Sequence, residues 1–232
     1  VIFYMREEAL FEFDEVINVK DEQFYLTDIL TDRHYEKWFN QVKCSKGKIF
    51  ILNKGRCGNG GTTGFINYAR ENCKGLIVSV PNRSIVISKE KLDECCCVYG
   101  GAEDIDKDKN IRICTWDKTD EVERYDQFGF ENIGIDDMTN TPRFWVGSLL
   151  VVDEYHKLIE DSNYREVCYK IVKTILTTDS NVVLMSATPN YEFIKFLREF
   201  SGKEVETYNV QYDDEDMHKK YVALQWFERK EG

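Results

Sequence analysis

Short apolar runs alternate with helical segments along most of this chain, and that alternation limits the folds open to it. The runs that suit buried strands fall at 48–52, 76–80, 95–97, 111–116, 149–152 and 182–185. The clearest helical stripe lies between the last two runs, with Ser162 as its expected N-cap. Further helices are predicted, including one that begins at Thr31 or Asp32 and one at about residues 191–200. Strands separated by helices form βαβ units, so the sequence predicts an α/β fold with a mostly parallel sheet flanked by helices.

Composition narrows the class of protein without naming a function. Of the 232 residues, 42% are hydrophobic and 13% aromatic, which is typical of a folded globular protein. No apolar run approaches the ~20 residues that a membrane-spanning helix needs. The net charge of −11 means that any contact with nucleic acid must come from local basic patches. An intracellular, cytoplasmic protein is expected.

Eight cysteines raise the question of metal binding or disulfide bonds. Cys95, Cys96 and Cys97 are contiguous, so along a strand their side chains alternate between faces and cannot converge on one ion. The other cysteines show no C-x-x-C spacing. We expect reduced thiols in a reducing compartment.

Two carboxylates, Asp153 and Glu154, end the most apolar strand of the chain. Open α/β sheets bind their ligands at the carboxyl ends of the strands, and charge left unpaired there is costly. A bound divalent cation would account for the pair, with one acid holding the metal and the other acting on a water molecule. A solvated turn after a core strand is the alternative.

The richest glycine cluster lies between a predicted strand and a predicted helix, where backbone N–H groups can cradle phosphates. Against the pattern G-x-x-x-x-G-K-[ST], Gly55 and Gly60 are in register and Thr62 takes the hydroxyl position, but Gly61 replaces the lysine. The flanking Lys54 or Arg56 could substitute for it, and a purely structural turn is the alternative. The candidate nucleotide-binding residues are Lys54, Gly55, Arg56, Gly58, Gly60, Gly61, Thr62 and Thr63.

Several segments, taken in order, resemble the motifs of superfamily 2 helicases. The run Val151-Val152-Asp153-Glu154-Tyr155-His156 is similar to their Walker B, or DEAD/DEAH-box, motif. The run from Val183 to Pro189 resembles the S-A-T motif of the family. The segments 76–82 and 113–116 are similar to the motif after the P-loop helix and to a later strand whose threonine contacts nucleic acid. The resemblance covers about residues 30–200 and implies the first RecA-like domain, a P-loop NTPase fold.

The resemblance also implies roles for individual residues, with ATP and magnesium as cofactors. Asp153 and Thr62 would hold magnesium, and Glu154 would activate the attacking water. Ser186 and Thr188 would couple nucleotide state to interdomain movement. DNA or RNA would be contacted by Asn82, Arg83 and Thr115. Trp116, Trp145, Trp226 and Tyr155 are expected to serve packing, and His156 to be a hydrogen-bonded loop residue without a direct catalytic role.

Domain boundaries follow from the same resemblance. Residues 1–30 are expected to form peripheral strands, 31–205 the RecA-like helicase domain, and 206–232 further strands or the start of a linker. The space after residue 200 suits only a strand pair, so the second RecA-like domain would come from a larger parent chain or a partner protein. Gln41 is the one nearby candidate for an adenine-reading glutamine.

Three functional readings remain open at this stage. The first is the N-terminal motor domain of an ATP-dependent helicase or translocase. The second is a catalytically impaired, helicase-like scaffold or nucleic-acid-binding module, which the loss of a lysine at Gly61 would favour. A P-loop kinase or GTPase is a weaker third reading, because no convincing N-K-x-D motif follows.

Overall fold

A single parallel sheet of eight strands forms the centre of the computed structural model, which describes residues 11–20, 23–41, 46–100, 109–122, 148–162 and 165–212. The strand order is β1-β8-β2-β7-β6-β3-β5-β4, and each of the seven pairings is parallel. The predicted fold class, a mostly parallel sheet flanked by helices, is therefore confirmed. The strands are β1 (Glu15–Asn18), β2 (Ile49–Asn53), β3 (Leu76–Val80), β4 (Cys95–Val98), β5 (Ile111–Thr115), β6 (Leu149–Asp153), β7 (Val182–Ser186) and β8 (Val205–Gln211).

Helices cover both faces of the sheet. The first four pack on one face and the last three on the other, so each face has its own apolar cluster. Among the described residues, no helix is long and apolar enough to cross a bilayer. The helices are α1 (Leu26–Ile29), α2 (Asp32–Phe39), α3 (Gly61–Glu71), α4 (Arg83–Lys89), α5 (Lys157–Glu160), α6 (Glu166–Thr177) and α7 (Tyr191–Phe200); a 3₁₀ turn spans Trp116–Lys118.

The central strands are apolar along their whole length because both of their faces are covered. In β6, Leu149 and Val151 join the cluster under α1–α4, whereas Leu150 and Val152 join the cluster under α5–α7. All four side chains are at most 3% exposed. A strand buried on both faces reads as a continuous apolar run, which is how this segment appears in the sequence.

Helix ends are harder to predict from the sequence than helix centres. The helix predicted at 191–200 has those bounds, and Thr31 is the N-cap of α2, as expected. The expected cap Ser162 is wrong: α6 begins after Arg165, and the Ser162 hydroxyl donates to the Ile159 carbonyl instead. The sequence does not predict the short helices α4 and α5. The segment of α4 has no clear periodicity, and α5 begins only three residues after Glu154.

The first and last described strands lie side by side at one edge of the same sheet. β8 pairs with both β1 and β2, and the Asp14 carboxylate accepts hydrogen bonds from the backbone N–H and the hydroxyl of Thr207. The second strand expected after residue 211 lies outside the described residues, as do Trp145 and Trp226.

Gly64 in α3 lies unusually close to Tyr35 of α2. A Cβ at position 64 would be 2.3 Å from the Tyr35 hydroxyl oxygen, and that buried hydroxyl has no hydrogen-bond partner among the described residues. The Tyr35 ring is itself packed against Trp38, Phe65 and Tyr68, so it has little room to move.

Gly64→Ala should therefore destabilise the protein by about 1–2 kcal/mol, because the overlap outweighs the ~1 kcal/mol that alanine gains over glycine in a helix. In a Tyr35→Phe background the obstructing atom is gone, and the same substitution should be neutral or stabilising. Urea unfolding of the four variants measures the difference. Equal destabilisation in both backgrounds would contradict the predicted overlap.

Candidate nucleotide-binding site

The carboxyl ends of β2, β7 and β6 lie next to one another in the sheet. Asn53 of β2 is in register with Ser186 of β7, and Met185 is in register with Asp153 of β6. The segments that follow these strands are the glycine loop, the Ser186–Thr188 run and the acid pair. The structure thus brings together three segments that the sequence places far apart.

The glycine loop has a backbone that favours glycine at three positions. Gly55, Gly58 and Gly60 have φ values of 67°, 71° and 79°, in the left-handed region. The next residue, Gly61, begins α3, so the loop ends at a helix N-terminus with unpaired backbone N–H groups. Inside the loop, the Asn59 amide donates to the Lys54 carbonyl and to the Tyr212 hydroxyl, at 2.8 and 3.2 Å. This is a pre-formed concave backbone of the kind that binds anions.

Thr62 and Asp153 meet across the site. The Thr62 hydroxyl donates to Oδ2 of Asp153 over 3.1 Å, and Asp153 is 6% exposed. A hydroxyl and a carboxylate are hard oxygen donors of the type that magnesium uses, commonly with one or two protein groups and the phosphates of a substrate. The residues present therefore fit a magnesium ion carried in with a nucleotide.

Lys54 holds both carboxylates of the acid pair. Its ammonium lies 2.8 Å from Oδ1 of Asp153 and 2.7 Å from Oε1 of Glu154, and the residue is only 4% exposed. Burial by itself lowers the pKa of Lys54, but the charges of the two carboxylates and the hydrogen bonds to them outweigh burial and raise the pKa above its ordinary value. Lys54 is therefore a charged ammonium inside the candidate site.

The other two positions around the missing lysine are arranged differently. A Cβ on Gly61 would lie 3.1 Å from Sδ of Met185 and 3.2 Å from Cδ1 of Leu26, so a side chain there would begin against the apolar core. The Arg56 guanidinium lies 3.9 Å from the centroid of the Tyr212 ring, and Arg56 is 6% exposed. This cation–π contact ties the loop to the end of β8.

A hydrogen-bond chain leads from the acid pair to the Ser186–Thr188 segment. The His156 Nδ1 lies 2.8 Å from the Ser186 hydroxyl and 3.3 Å from Oε2 of Glu154. The Ser186 hydroxyl also accepts from the Thr188 backbone N–H at 3.0 Å. Glu154 has a φ of 56°, which is rare for a residue with a side chain, and its N–H donates to the Asp153 carboxylate.

The candidate nucleic-acid residues lie beyond β6, at the ends of β3 and β5. Asn82 is the N-cap residue of α4 and Arg83 its first residue; both are exposed, and the Arg83 guanidinium lies 4.5 Å from the centroid of the Tyr99 ring. Thr115 ends β5 in register with Val80, and it is buried. Two of the three residues can therefore reach a ligand directly.

Several features of the site could not be found from sequence patterns. Lys89 of α4 donates to the Thr63 hydroxyl at 3.1 Å and links the nucleic-acid side to the loop helix, although no motif marks it. Gln41 is a correction: its side chain bonds Asp179 and Asn181, next to the amino end of β7, so it lies at the edge of the sheet opposite the loop. His156 is hydrogen-bonded, as expected, and its partner is the Ser186 hydroxyl.

Comparisons with known proteins bear on the family and on the fold. The family model for the DEAD/DEAH box helicase matches residues 87–197, which include the acid pair and the Ser186–Thr188 segment but not the glycine loop. A hypothetical ATP-dependent RNA helicase from Sulfolobus tokodaii matches in structure with a TM-score of 0.50 and 17% identity, over 90% of this chain and 56% of that chain. Mss116p bound to ssRNA and AMP-PNP gives a TM-score of 0.48 and 14% identity, over 87% and 48%.

No curated protein matches the sequence. The chain spans about half the length of the solved helicases that it resembles. At such low identity, the structural likeness supports the fold, and the family match supports the assignment of the motifs. Together they confirm the resemblance noted from the sequence: residues 87–197 are similar to the DEAD/DEAH box helicase family, and the fold is that of a RecA-like helicase domain.

Proposed function

We propose that this chain is the N-terminal RecA-like half of an ATP-dependent nucleic-acid helicase or translocase, and that it binds ATP with magnesium at the glycine loop. The observation that carries the proposal is the meeting of loop and acid pair, with Thr62 3.1 Å and Lys54 2.8 Å from the Asp153 carboxylate. A purely structural glycine turn would have no reason to lie beside two adjacent acids.

The residues divide the work by their chemistry. The loop N–H groups and the N-terminus of α3 bind the phosphates, and the Thr62 and Asp153 oxygens hold the cation. Magnesium, when bound, offsets the charge that develops on the transferred phosphoryl group. Glu154 orients a water molecule and takes its proton, for which it is placed directly after the metal-binding acid.

A chain of side-chain contacts links the acid pair to the segment that precedes α7. Glu154 contacts His156, and His156 contacts Ser186, so a change at the acid pair is transmitted to the segment that precedes α7. Ser186 and Thr188 are the residues that we assign to coupling with interdomain movement. The partner surface is a second RecA-like domain, supplied by more of the parent chain or by another protein.

DNA or RNA is the proposed polymer, bound at the rim formed by the ends of β3, β5 and β4. Arg83 is exposed there and held by the Tyr99 ring, and Asn82 precedes it. Thr115 lies at the same rim. Because the chain carries a net charge of −11, this contact depends on a few local groups and not on general attraction. Such a protein would work inside the cell, with its nucleic-acid substrate.

The second candidate is a helicase-like scaffold that has lost hydrolysis, and the observation in its favour is Gly61 in the lysine position. A scaffold of this kind would keep the fold and the nucleic-acid rim. Both candidates predict a folded domain, so they differ only in turnover.

Glu154→Gln should abolish ATP turnover in the presence of nucleic acid and of the second domain, while ATP still binds. The amide keeps the shape of the side chain but cannot take a proton from water, and loss of such a general base commonly costs 10²–10⁴-fold. Phosphate release, measured with single-stranded RNA and single-stranded DNA in turn, checks the effect.

Glu166→Gln is the matched control, because Glu166 is a largely exposed acid in α6 whose ion-pair partner is Lys170, and its variant should keep the wild-type rate. Equal, background-level rates for the wild type and Glu154→Gln, with both activators present, would rule out the motor and favour the scaffold.

Arg83→Gln should weaken binding of single-stranded nucleic acid by a similar factor for every sequence, since a phosphate contact carries no base information. The slope of log affinity against log salt concentration should fall by about one. Fluorescence anisotropy with RNA and DNA oligonucleotides over a salt series gives both quantities. Arg70→Gln, on α3 beside Glu94, is the control and should leave the slope unchanged; an unchanged slope for Arg83→Gln would remove this residue from the interface.

A further inference from the structure

We propose that Lys54, placed before the glycine loop, supplies the phosphate-binding ammonium that the loop lacks at Gly61. The inference rests on the proposed nucleotide site and names the group that makes it work without the usual lysine. In the structure this ammonium lies on the acid pair, 2.8 Å from Asp153 and 2.7 Å from Glu154.

The position of Lys54 is fixed by the sheet. Its backbone N–H donates to the Ser186 carbonyl at 2.8 Å, and its own carbonyl accepts from the Asn59 amide at 2.8 Å. The residue thus lies between β7 and the glycine loop, with its side chain directed at the carboxylate that also accepts from Thr62. An ammonium in this place faces the same volume that a nucleotide's terminal phosphates and their cation would enter.

The rival cations are less well placed for this role. Arg56 lies over the Tyr212 ring, with its guanidinium engaged there and against the Phe24 ring, 5.7 Å away. Lys89 donates to the Thr63 hydroxyl at 3.1 Å, and within the described part of the chain it is not an ion-pair partner of either acid. Gly61 has no side chain, and a Cβ added there would face Met185 and Leu26. Among the described residues, Lys54 is the cation that contacts both carboxylates.

Ligand binding would then be an exchange of partners. Asp153 and Thr62 would hold the magnesium ion of magnesium-ATP, and the ammonium of Lys54 would turn from the carboxylates to the phosphate oxygens. The Lys54 ammonium is paired with anionic oxygens at both ends of the exchange, so it is never left alone in the site. Glu154 loses its cationic partner in the same step and becomes free to act on water.

Lys54→Met tests the inference, because it keeps an unbranched side chain only one atom shorter and removes the charge. A lysine ~4 Å from a phosphate, at an effective dielectric near 20, would set an upper limit of roughly a thousandfold in affinity. The ion pairs given up on binding reduce that figure, so we expect a loss of at least about tenfold for magnesium-ATP. Equilibrium titration with a fluorescent ATP analogue, and separately with adenosine, measures it; adenosine has no phosphate and its affinity should be unchanged.

Two further variants serve as comparisons. Lys48→Met removes a surface ammonium paired with Glu204 and Glu206 and should leave the affinity for magnesium-ATP as in the wild type. Lys89→Met removes the rival cation and should change the affinity by less than Lys54→Met does. A larger loss for Lys89→Met than for Lys54→Met would assign the phosphate contact to Lys89 and overturn the inference.

The double variant Lys54→Met/Glu154→Gln separates phosphate binding from charge screening. If Lys54 merely hides the acids from the incoming phosphates, removing one acid charge should restore affinity; if Lys54 binds phosphate, the affinity should stay low. Urea unfolding of each variant shows that it is folded during the titration. Restored affinity would overturn the inference, while a wild-type protein that binds no magnesium-ATP would overturn the proposed function itself.

Discussion

An ammonium shared by two carboxylates joins the end of β2 to the end of β6, and the geometry of the whole site depends on it. Without Lys54, Asp153 and Glu154 would be adjacent acids at the carboxyl end of a strand buried on both faces, with charges that the interior does not solvate. With Lys54, the cluster has compensation, and the glycine loop is held against the acids. The missing lysine at Gly61 is therefore matched by a cation already in place.

The order of the strands places the two proposed ligand sites next to each other in one small domain. β6 lies between β7 and β3, so the acid pair at its end borders both halves of the rim. On one side are the glycine loop and Ser186; on the other are Arg83 and Thr115. A parallel sheet puts all of these at one edge because each strand returns by a crossover on a face of the sheet. Lys89, which reaches from α4 to Thr63, is a direct contact between the two halves.

The strands and the main helices can be predicted from the sequence, because burial on both faces leaves a local pattern. The sequence predicts β3 and α7 with their observed bounds, because an apolar run or a 3.6-residue stripe is visible without knowledge of the element that packs against it. The partner of Lys54 was not readable in this way: Asp153 lies 99 positions further along the chain, and nothing local to either residue marks the pair. The same holds for Arg56, whose ring partner Tyr212 ends a distant strand.

Other errors have a physical cause of a different kind. Gln41 was close to the loop in sequence but follows α2 at the amino edge of the sheet, and distance along a chain says little about which edge a residue occupies. Ser162 was a good capping residue by type, yet its hydroxyl bonds the carbonyl three residues back, a local alternative that serine side chains commonly adopt. In both cases the residue type suits the predicted role, but the path of the backbone gives the side chain other partners.

The placement of Lys54 has a consequence for control that a lysine at position 61 would not have in the same form. In the structure, Glu154 contacts Lys54 with one oxygen and His156 with the other, so each carboxylate oxygen already has a partner. A base in that state is poorly available to water. Drawing Lys54 toward phosphate would release one oxygen for catalysis and leave the other in contact with His156 and, through it, Ser186. Nucleotide binding, activation of the base and the signal to the next domain would then be parts of a single rearrangement of charge.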